Sequence, residues 1–521
     1  MRAMMMECPL KIADILTYAA EVHPAGEVIT AAPGGPERMD YKTLGARIAR
    51  LAAALLARGV RPGDRVATLA FNNRRHFELY YAISGIGAVC HTLNPRLSPT
   101  DLAYIVEDAG DCLLFHDPHL APLAAALPMP PGTTIAMDEM GLDSLVDAAE
   151  PLAAWPDFAE TDAAGLCYTS GTTGAPKGAL YSHRSTVLHA LSLAVSLPKV
   201  FQERRRILPV VPLFHVNAWG LPYAAPLAGA SLVMPGPDLS GPALFDLMDQ
   251  TGVYSAWGVP TVWFGLLDEI AARGRCPTGF GDVVIGGSAA PPAMIARFEA
   301  LGVNVCHAWG MTEMSPVGTV CHTPPQDDGA PEAARLHRKA RQGRRLFGVE
   351  LKIVDEAGEN LPHNGRAAGE LRARGNTVIS AYHGRAATTD GSFDEGWFTT
   401  GDVASIDADG FLAIEDRTKD MIKSGGEWIS SIALENAAAG APGVATCAAI
   451  AIPDARWGER PLLVVVPADG FDEPGLRAHL LGALAKWQVP ERIVCVDALP
   501  LTATGKVSKR TLRDKHAAGE L

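Results

Sequence analysis

Nowhere in the 521 residues does an apolar run reach the roughly eighteen uninterrupted positions that a membrane-crossing helix needs. Met1 to Ala20 carries Glu7, Lys11 and Asp14 and lacks an apolar stretch ending in a small-residue cleavage site, so it does not read as a secretory signal. The nine cysteines are scattered, odd in number and without a C-x-x-C pair, which argues against a disulfide framework and against a structural zinc site. An excess of basic residues is missing too. With 45 Lys and Arg against 58 Asp and Glu the net charge is −13, so chain-wide attraction to nucleic acid or anionic lipid is excluded, while a locally basic cleft stays possible. These absences lead us to expect a cytoplasmic protein with no integral membrane segment and no nucleic-acid partner.

What is present suits a large folded chain. Hydrophobic residues make up 48%, and the length implies about three domains, or fewer if one is large. Residues 44–58 carry apolar positions at helical spacing, and after Pro62-Gly63-Asp64 the run from Arg65 to Ala70 reads as a buried strand. The same alternation returns at 76–93, 243–260 and 293–306, which predicts packed βα units with no fixed repeat period. Residues 324–343 are polar and read as surface loop or short helix. From 346 the texture changes to short strands punctuated by Gly, Asp and Asn, which suits hairpins. Strands at 445–452 and 461–467 and a helix over 474–486 follow the charged run Glu415 to Asp420. The expectation is an α/β fold: an N-terminal domain over 1–418 built of layered α/β subdomains, with a β-rich subdomain at 345–415, then a small α+β domain over 419–521.

Tyr168 to Gly178 (YTSGTTGAPKG) narrows the function most. Its glycines permit tight turns and close backbone approach, its hydroxyls and N–H groups can surround an anion, and Lys177 adds a mobile positive charge. That combination suits a polyphosphate. It is not a Walker A loop, because Pro176 stands where that pattern requires a glycine before lysine. Further along lie Gly286-Gly-Ser-Ala-Ala-Pro291, Ala308-Trp-Gly-Met-Thr-Glu313, Phe398-Thr-Thr-Gly-Asp402 with Asp416-Arg-Thr-Lys-Asp420, and Leu501-Thr-Ala-Thr-Gly-Lys506. In order and spacing the set resembles the adenylate-forming superfamily of acyl-CoA synthetases, luciferases and peptide-synthetase adenylation domains, over the whole chain.

The resemblance implies roles. Thr169, Ser170, Gly171, Thr172, Thr173, Gly174 and Lys177 would surround the phosphates of ATP, and Glu313 with Thr169 would hold Mg²⁺, which takes one or two carboxylates plus phosphate oxygens. Gly287, Ser288 and Ala289, with His307, Ala308, Trp309, Gly310, Met311 and Thr312, would form the adenine site; Asp402, Arg417 and Lys423 would complete nucleotide binding. Lys506 would bridge the acyl carboxylate and the α-phosphate, making Lys506, Thr172, Glu313 and His215 the catalytic set. Lys419 would be the hinge of a mobile C-terminal domain, and Gly425, Gly426 and Trp428 would line a coenzyme A tunnel. Related ligases often form homodimers, and the resemblance implies one here.

Phe214 to Tyr223 (FHVNAWGLPY) points to a branch. With Gly286 to Pro291 and Ser424 to Ser431 it resembles fatty-acid–CoA ligases for medium and long chains and, almost equally, ligases for 3-methylmercaptopropionate. His215, Val216, Trp219, Gly286 and Trp309 would form the acyl pocket, His215 and Trp219 sharing one face if the segment is helical. Trp309 stands where many relatives have tyrosine. No basic residue in these motifs calls for a second carboxylate, so a monocarboxylic acid, medium or long in chain, is the expected substrate. A ligase for 3-methylmercaptopropionate or another short-chain acid, a carrier-protein-loading enzyme and a catalytically silent nucleotide-binding protein are the competing readings.

Overall fold

The computed structural model describes residues 3–169, 175–322, 329–385, 391–502 and 505–521. Helices start where the sequence supplies caps. Asp40 accepts from Thr43 N at 2.7 Å to begin Tyr41–Ala57, which buries Leu44, Ile48, Leu51 and Leu55 along one stripe. Arg65–Leu69 follows, apolar on both faces, as a strand inside a parallel sheet must be.

That strand belongs to a six-stranded sheet ordered Thr134–Ala136, Asp111–His116, Arg65–Leu69, Val89–Thr92, Ala163–Thr169 and Lys177–Ser182, parallel except for the last pair. A nine-stranded sheet runs Arg344–Arg345, Val317–Val320, Asn304–Gly310, Asp282–Ile285, Ser255–Gly258, Arg206–Pro209, Ser231–Met234, Glu27–Thr30 and Glu37–Asp40. Its centre is parallel and both edges are antiparallel. Helix Arg74–Gly85, sandwiched between the sheets, is buried along most of its length, and Tyr81 Oη donates to Pro222 O at 2.7 Å to tie it to helix Leu221–Leu227. One hydrophobic core runs through both sheets.

The predicted hairpin texture is an antiparallel sheet of Val349–Val354, Ala368–Gly375, Phe393–Asp394, Trp397–Ile406 and Leu412–Arg417. A smaller C-terminal layer comprises Ile422–Ser424, Glu427–Ile429, Val444–Asp454, Gly458–Pro467 and Arg492–Cys495, with helices Ser431–Ala439, Glu473–Ala483 and Lys509–Ala517. The fold is mixed α/β, a large N-terminal part followed by a smaller C-terminal one. No helix among the described residues is long and apolar enough to cross a membrane.

Candidate active site

Three elements of the large part and one loop of the small part meet at a single place. Strand Asn304–Gly310 ends in a tight turn through Thr312–Met314. The turn closes so sharply that a Cβ at Gly310 would lie 2.0 Å from Pro316 O, which explains the glycine. It buries the side chain of Glu313, whose Oε1 accepts from Tyr382 Oη at 2.7 Å. Burial pushes the Glu313 carboxyl above its ordinary range, against the opposing pull of the Tyr382 hydrogen bond and of Arg417 and Lys177. Lys177 Nζ stands 4.9 Å from the centre of the Tyr382 ring. The hairpin carrying Lys177 is pinned to the same turn by Tyr181 Oη, which donates to Thr312 O at 2.6 Å.

Strand Trp397–Ile406 contributes Asp402, 2% exposed. Its Oδ1 meets Arg417 Nε at 2.7 Å from the neighbouring strand, and its Oδ2 accepts from Trp309 Nε1 at 2.8 Å. Asp402 is therefore buried and held on both oxygens, while the Arg417 side chain stays 41% exposed and can reach a ligand.

From the C-terminal part, Gly505 and Lys506 reach across, and Thr261 Oγ1 donates to Gly505 O at 3.2 Å. Lys506 Cε passes Gly287 so closely that a Cβ there would sit 3.4 Å away. Burial first, then the charges of Arg417 and Lys419, push the Lys506 ammonium down to about 8, while Asp402 and Glu313 pull it up. Lys177, Arg417, Lys419 and Lys506 outnumber Glu313 and Asp402, so a chain that is acidic overall has a basic cleft here. Such a cleft suits a polyphosphate.

The segment after Phe214 departs from expectation. Val216, Asn217, Ala218 and Trp219 have φ of 46°, 53°, 44° and 57°, a left-handed turn that ends at Gly220 with φ 80°. His215 and Trp219 thus do not share the face of a right-handed helix, and each non-glycine residue held this way costs about 1–2 kcal/mol. The turn lays the Trp219 indole against the Gly286-Gly287 backbone: a Cβ at Gly286 would lie 2.9 Å from Trp219 Cη2 and 3.0 Å from Ala308 O. The Trp257 ring packs edge-on behind it at 6.4 Å. His215 borders a recess formed by Thr92, Asn94, Leu97, Tyr168 and Phe214. Burial and the Lys506 charge push His215 down to about 3, so it is neutral at physiological pH.

Residues 16–383 match the AMP-binding enzyme family, and residues 433–506 match the AMP-binding enzyme C-terminal domain. The chain belongs to the AMP-binding enzyme family. It is 47% identical to the 3-methylmercaptopropionyl-CoA ligase of Ruegeria lacuscaerulensis, over 99% of each chain. It is 44% identical to the medium-chain-fatty-acid–CoA ligase of Ectopseudomonas oleovorans, over 99% of this chain and 98% of that one. Among solved structures it resembles the o-succinylbenzoate CoA synthetase of Bacillus subtilis in complex with its acyl-adenylate intermediate, at a TM-score of 0.82 and 27% identity, over 98% of this chain and 99% of that one. This AMP-binding enzyme is accordingly an AMP-forming acid–thiol ligase of the acyl-CoA synthetase kind, a class that takes ATP and CoA as substrates.

Of the residues picked from sequence, the structure of this AMP-binding enzyme brings together Lys177, Glu313, Asp402, Arg417, Lys419 and Lys506, with Trp219, Gly286, Gly287, Ala308 and Trp309 beside them. Thr169 pairs with Lys177 at the base of the glycine-rich hairpin, whose remaining positions Ser170, Gly171, Thr172, Thr173 and Gly174 lie outside the described residues. Ser288 and Ala289 follow Gly287 on a loop that leaves Ser288 exposed. His307 is buried: its Nε2 accepts from Ala290 N at 3.3 Å, supporting that loop from beneath, and its Nδ1 donates to Ala340 O at 3.0 Å at the end of helix Glu332–Lys339. Lys423, Gly425, Gly426 and Trp428 form an exposed hairpin in which Lys423 Nζ lies 5.1 Å from the Trp428 ring and Gly425 backs onto Trp457. Sequence reasoning missed Tyr382, the partner of Glu313, and Asn217, inside the left-handed turn. No motif marks Tyr382; for Asn217 the available signal was an asparagine three residues before Gly220 in an apolar run.

Proposed function

We propose that this ligase activates an unbranched monocarboxylic acid with a short, uncharged tail, such as 3-methylmercaptopropionate. The observation that carries the reading is the Trp219 indole packed against Gly286 and backed by Trp257, a wall that would stop the acyl tail early. Neutral His215 offers no positive partner for a second carboxylate. A medium- or long-chain fatty acid is the second reading. It is favoured by the 44% identity to the fatty-acid ligase and requires Trp219 to move.

Chemistry follows from the charges. The substrate carboxylate is already ionised at neutral pH and needs no general base, but it must approach a phosphorus ringed by negative oxygens. Its oxygen attacks the α-phosphorus and displaces pyrophosphate, giving acyl-AMP; the thiol of CoA then attacks the acyl carbon and releases AMP. In the first step Lys506 bridges carboxylate and α-phosphate, and Lys177 with the loop Thr169 to Gly174 holds the β- and γ-phosphates. Catalysis there is positioning plus positive charge. Asp402, with its oxygens already fixed by Trp309 and Arg417, accepts the ribose hydroxyls, and Gly287 to Ala289 admit adenine. Glu313, whose Oε1 accepts from Tyr382 Oη, lies beside the phosphate-binding hairpin and is a hard donor that fits Mg²⁺, with Thr169 as a second oxygen. The ion would neutralise phosphate charge. Lys419 serves as the hinge about which the small part would reposition for thioester formation, with Lys423, Gly425, Gly426 and Trp428 facing CoA. The protein works in the cytoplasm as a homodimer in this reading.

The deciding experiment measures AMP release across 3-methylmercaptopropionate, butanoate, octanoate, dodecanoate and benzoate, with and without CoA. Activity confined to short unbranched acids supports the first reading; a maximum at octanoate or dodecanoate supports the second. Transfer to a carrier protein but not to CoA would overturn both.

A further inference from the structure

We propose that Asn217 is a specificity-determining positioning residue: the left-handed turn it anchors holds the Trp219 ring across the acyl end of the site and so limits the length of acid accepted. The proposal rests on the reading of that site given above. Left-handed backbone is disfavoured for residues with a Cβ, and asparagine is among the few residue types enriched there. Among Val216, Asn217, Ala218 and Trp219, all with positive φ, Asn217 alone is of such a type. The residue is 7% exposed, and its Oδ1 lies 3.2 Å from Tyr80 Oη, whose one proton it shares with Leu213 O, and 3.6 Å from Cys167 Sγ.

Both ends of the turn are fastened separately. Before it, the Asn72 amide donates to Pro209 O and Val211 O at 2.7 and 2.9 Å and accepts from Leu213 N at 2.6 Å. After it, Gly220 is pressed so near His189 that a Cβ would lie 2.7 Å from Nδ1, while His189 Nε2 accepts from Val317 N at 3.1 Å. With its ends pinned, the segment can change mainly by changing hand, and a change of hand turns the Trp219 Cα–Cβ bond away from Gly286. The handedness of four residues is thereby coupled to the depth of the pocket.

Two substitutions separate this role from mere packing. Asn217→Gly and Asn217→Val both remove the buried amide, but glycine enters the left-handed region freely and a β-branched residue does not. The measurement is kcat/KM for acid-dependent pyrophosphate release with 3-methylmercaptopropionate, butanoate, octanoate and dodecanoate, alongside Tm. Asn217→Gly is expected to keep the wild-type ranking of acids, and Asn217→Val to reduce the preference for short over long acids by about tenfold. Should Asn217→Val not fold, Asn217→Ala, which disfavours the left-handed region less, is expected to reduce the preference about threefold. The same ranking in the glycine and the β-branched or alanine variant, whether native or altered, overturns the assignment, as does a wild-type preference for dodecanoate over butanoate. Wild type inactive on every acid would instead overturn the functional reading itself, and the assignment with it.

Discussion

Trp309 Nε1 donates to Asp402 Oδ2 at 2.8 Å, joining the end of a core strand to the β-rich sheet through one buried bond. The indole N–H supplies that bond's donor. Trp309→Phe keeps most of the ring and removes that donor. A hydrogen bond to a charged group is worth about 1.5–3 kcal/mol, so KM for ATP should rise by at least tenfold with KM for the acid little changed. A change confined to the acid KM would make Trp309 a wall of the acyl pocket instead.

Lys506→Ala should reduce acyl-adenylate formation more than a hundredfold, about 3 kcal/mol, while CoA transfer from supplied acyl-AMP is largely kept. Equal damage to both half-reactions would contradict the assignment. Because the ammonium is pushed down to about 8, its charge is present below that pH and lost as pH rises through it. The kcat/KM of adenylation, which reports the free enzyme, should therefore fall above about pH 8. Lys506→Arg should abolish that descending limb, since guanidinium stays charged.

Glu313→Gln keeps the shape of the side chain and loses its charge. The expected result is a large rise in the Mg²⁺ concentration needed for half-maximal rate, with acid binding unaffected. Tyr382→Phe should produce a smaller rise of the same kind, about threefold to tenfold, by removing the hydroxyl that favours ionised Glu313. Mg²⁺ titrations of the two variants check this, and an unchanged titration in Glu313→Gln would leave that residue a structural role.

Trp219→Ala should shift preference toward longer or bulkier acids. Each methylene newly accommodated in an apolar channel contributes at most about 0.8 kcal/mol, roughly fourfold in kcat/KM. The slope of activity against chain length, read together with Tm, checks it. A uniform loss with the wild-type ranking intact would show that the indole supports the fold alone.

Much of this architecture was legible because it is written locally. Apolar spacing marked helix Tyr41–Ala57 and strand Arg65–Leu69, and alternating strands with Gly and Asp turns marked the antiparallel sheet from Val349 to Arg417. The site was legible as motifs, since Glu313, Asp402, Arg417 and Lys506 converge although they are spread along the chain. What was hidden depends on contacts distant in sequence. The partners of His307, Ala340 and Ala290, are not marked in its motif. The handedness of Val216 to Trp219 has no periodic signature, because the side chains packed against it, Tyr80 on Asn217 and Asn72 at its start, come from far away in the sequence.

Strand Glu27–Thr30 finds its place beside Ser231–Met234, and Glu27 N reaches Ser231 Oγ across a sequence separation of 204 residues. A ribosome adding about 5–20 residues per second makes the first strand wait on the order of ten to forty seconds for its neighbour. During that interval Val28 and Ile29 lack the neighbouring strand, and helix Ile12–Val22, which also packs against the early-made helices Tyr41–Ala57 and Arg74–Gly85, lacks the part of its cover that Leu221–Leu227 supplies. The edge of the nine-stranded sheet at Glu27–Thr30 is therefore completed only after residue 231 has been made.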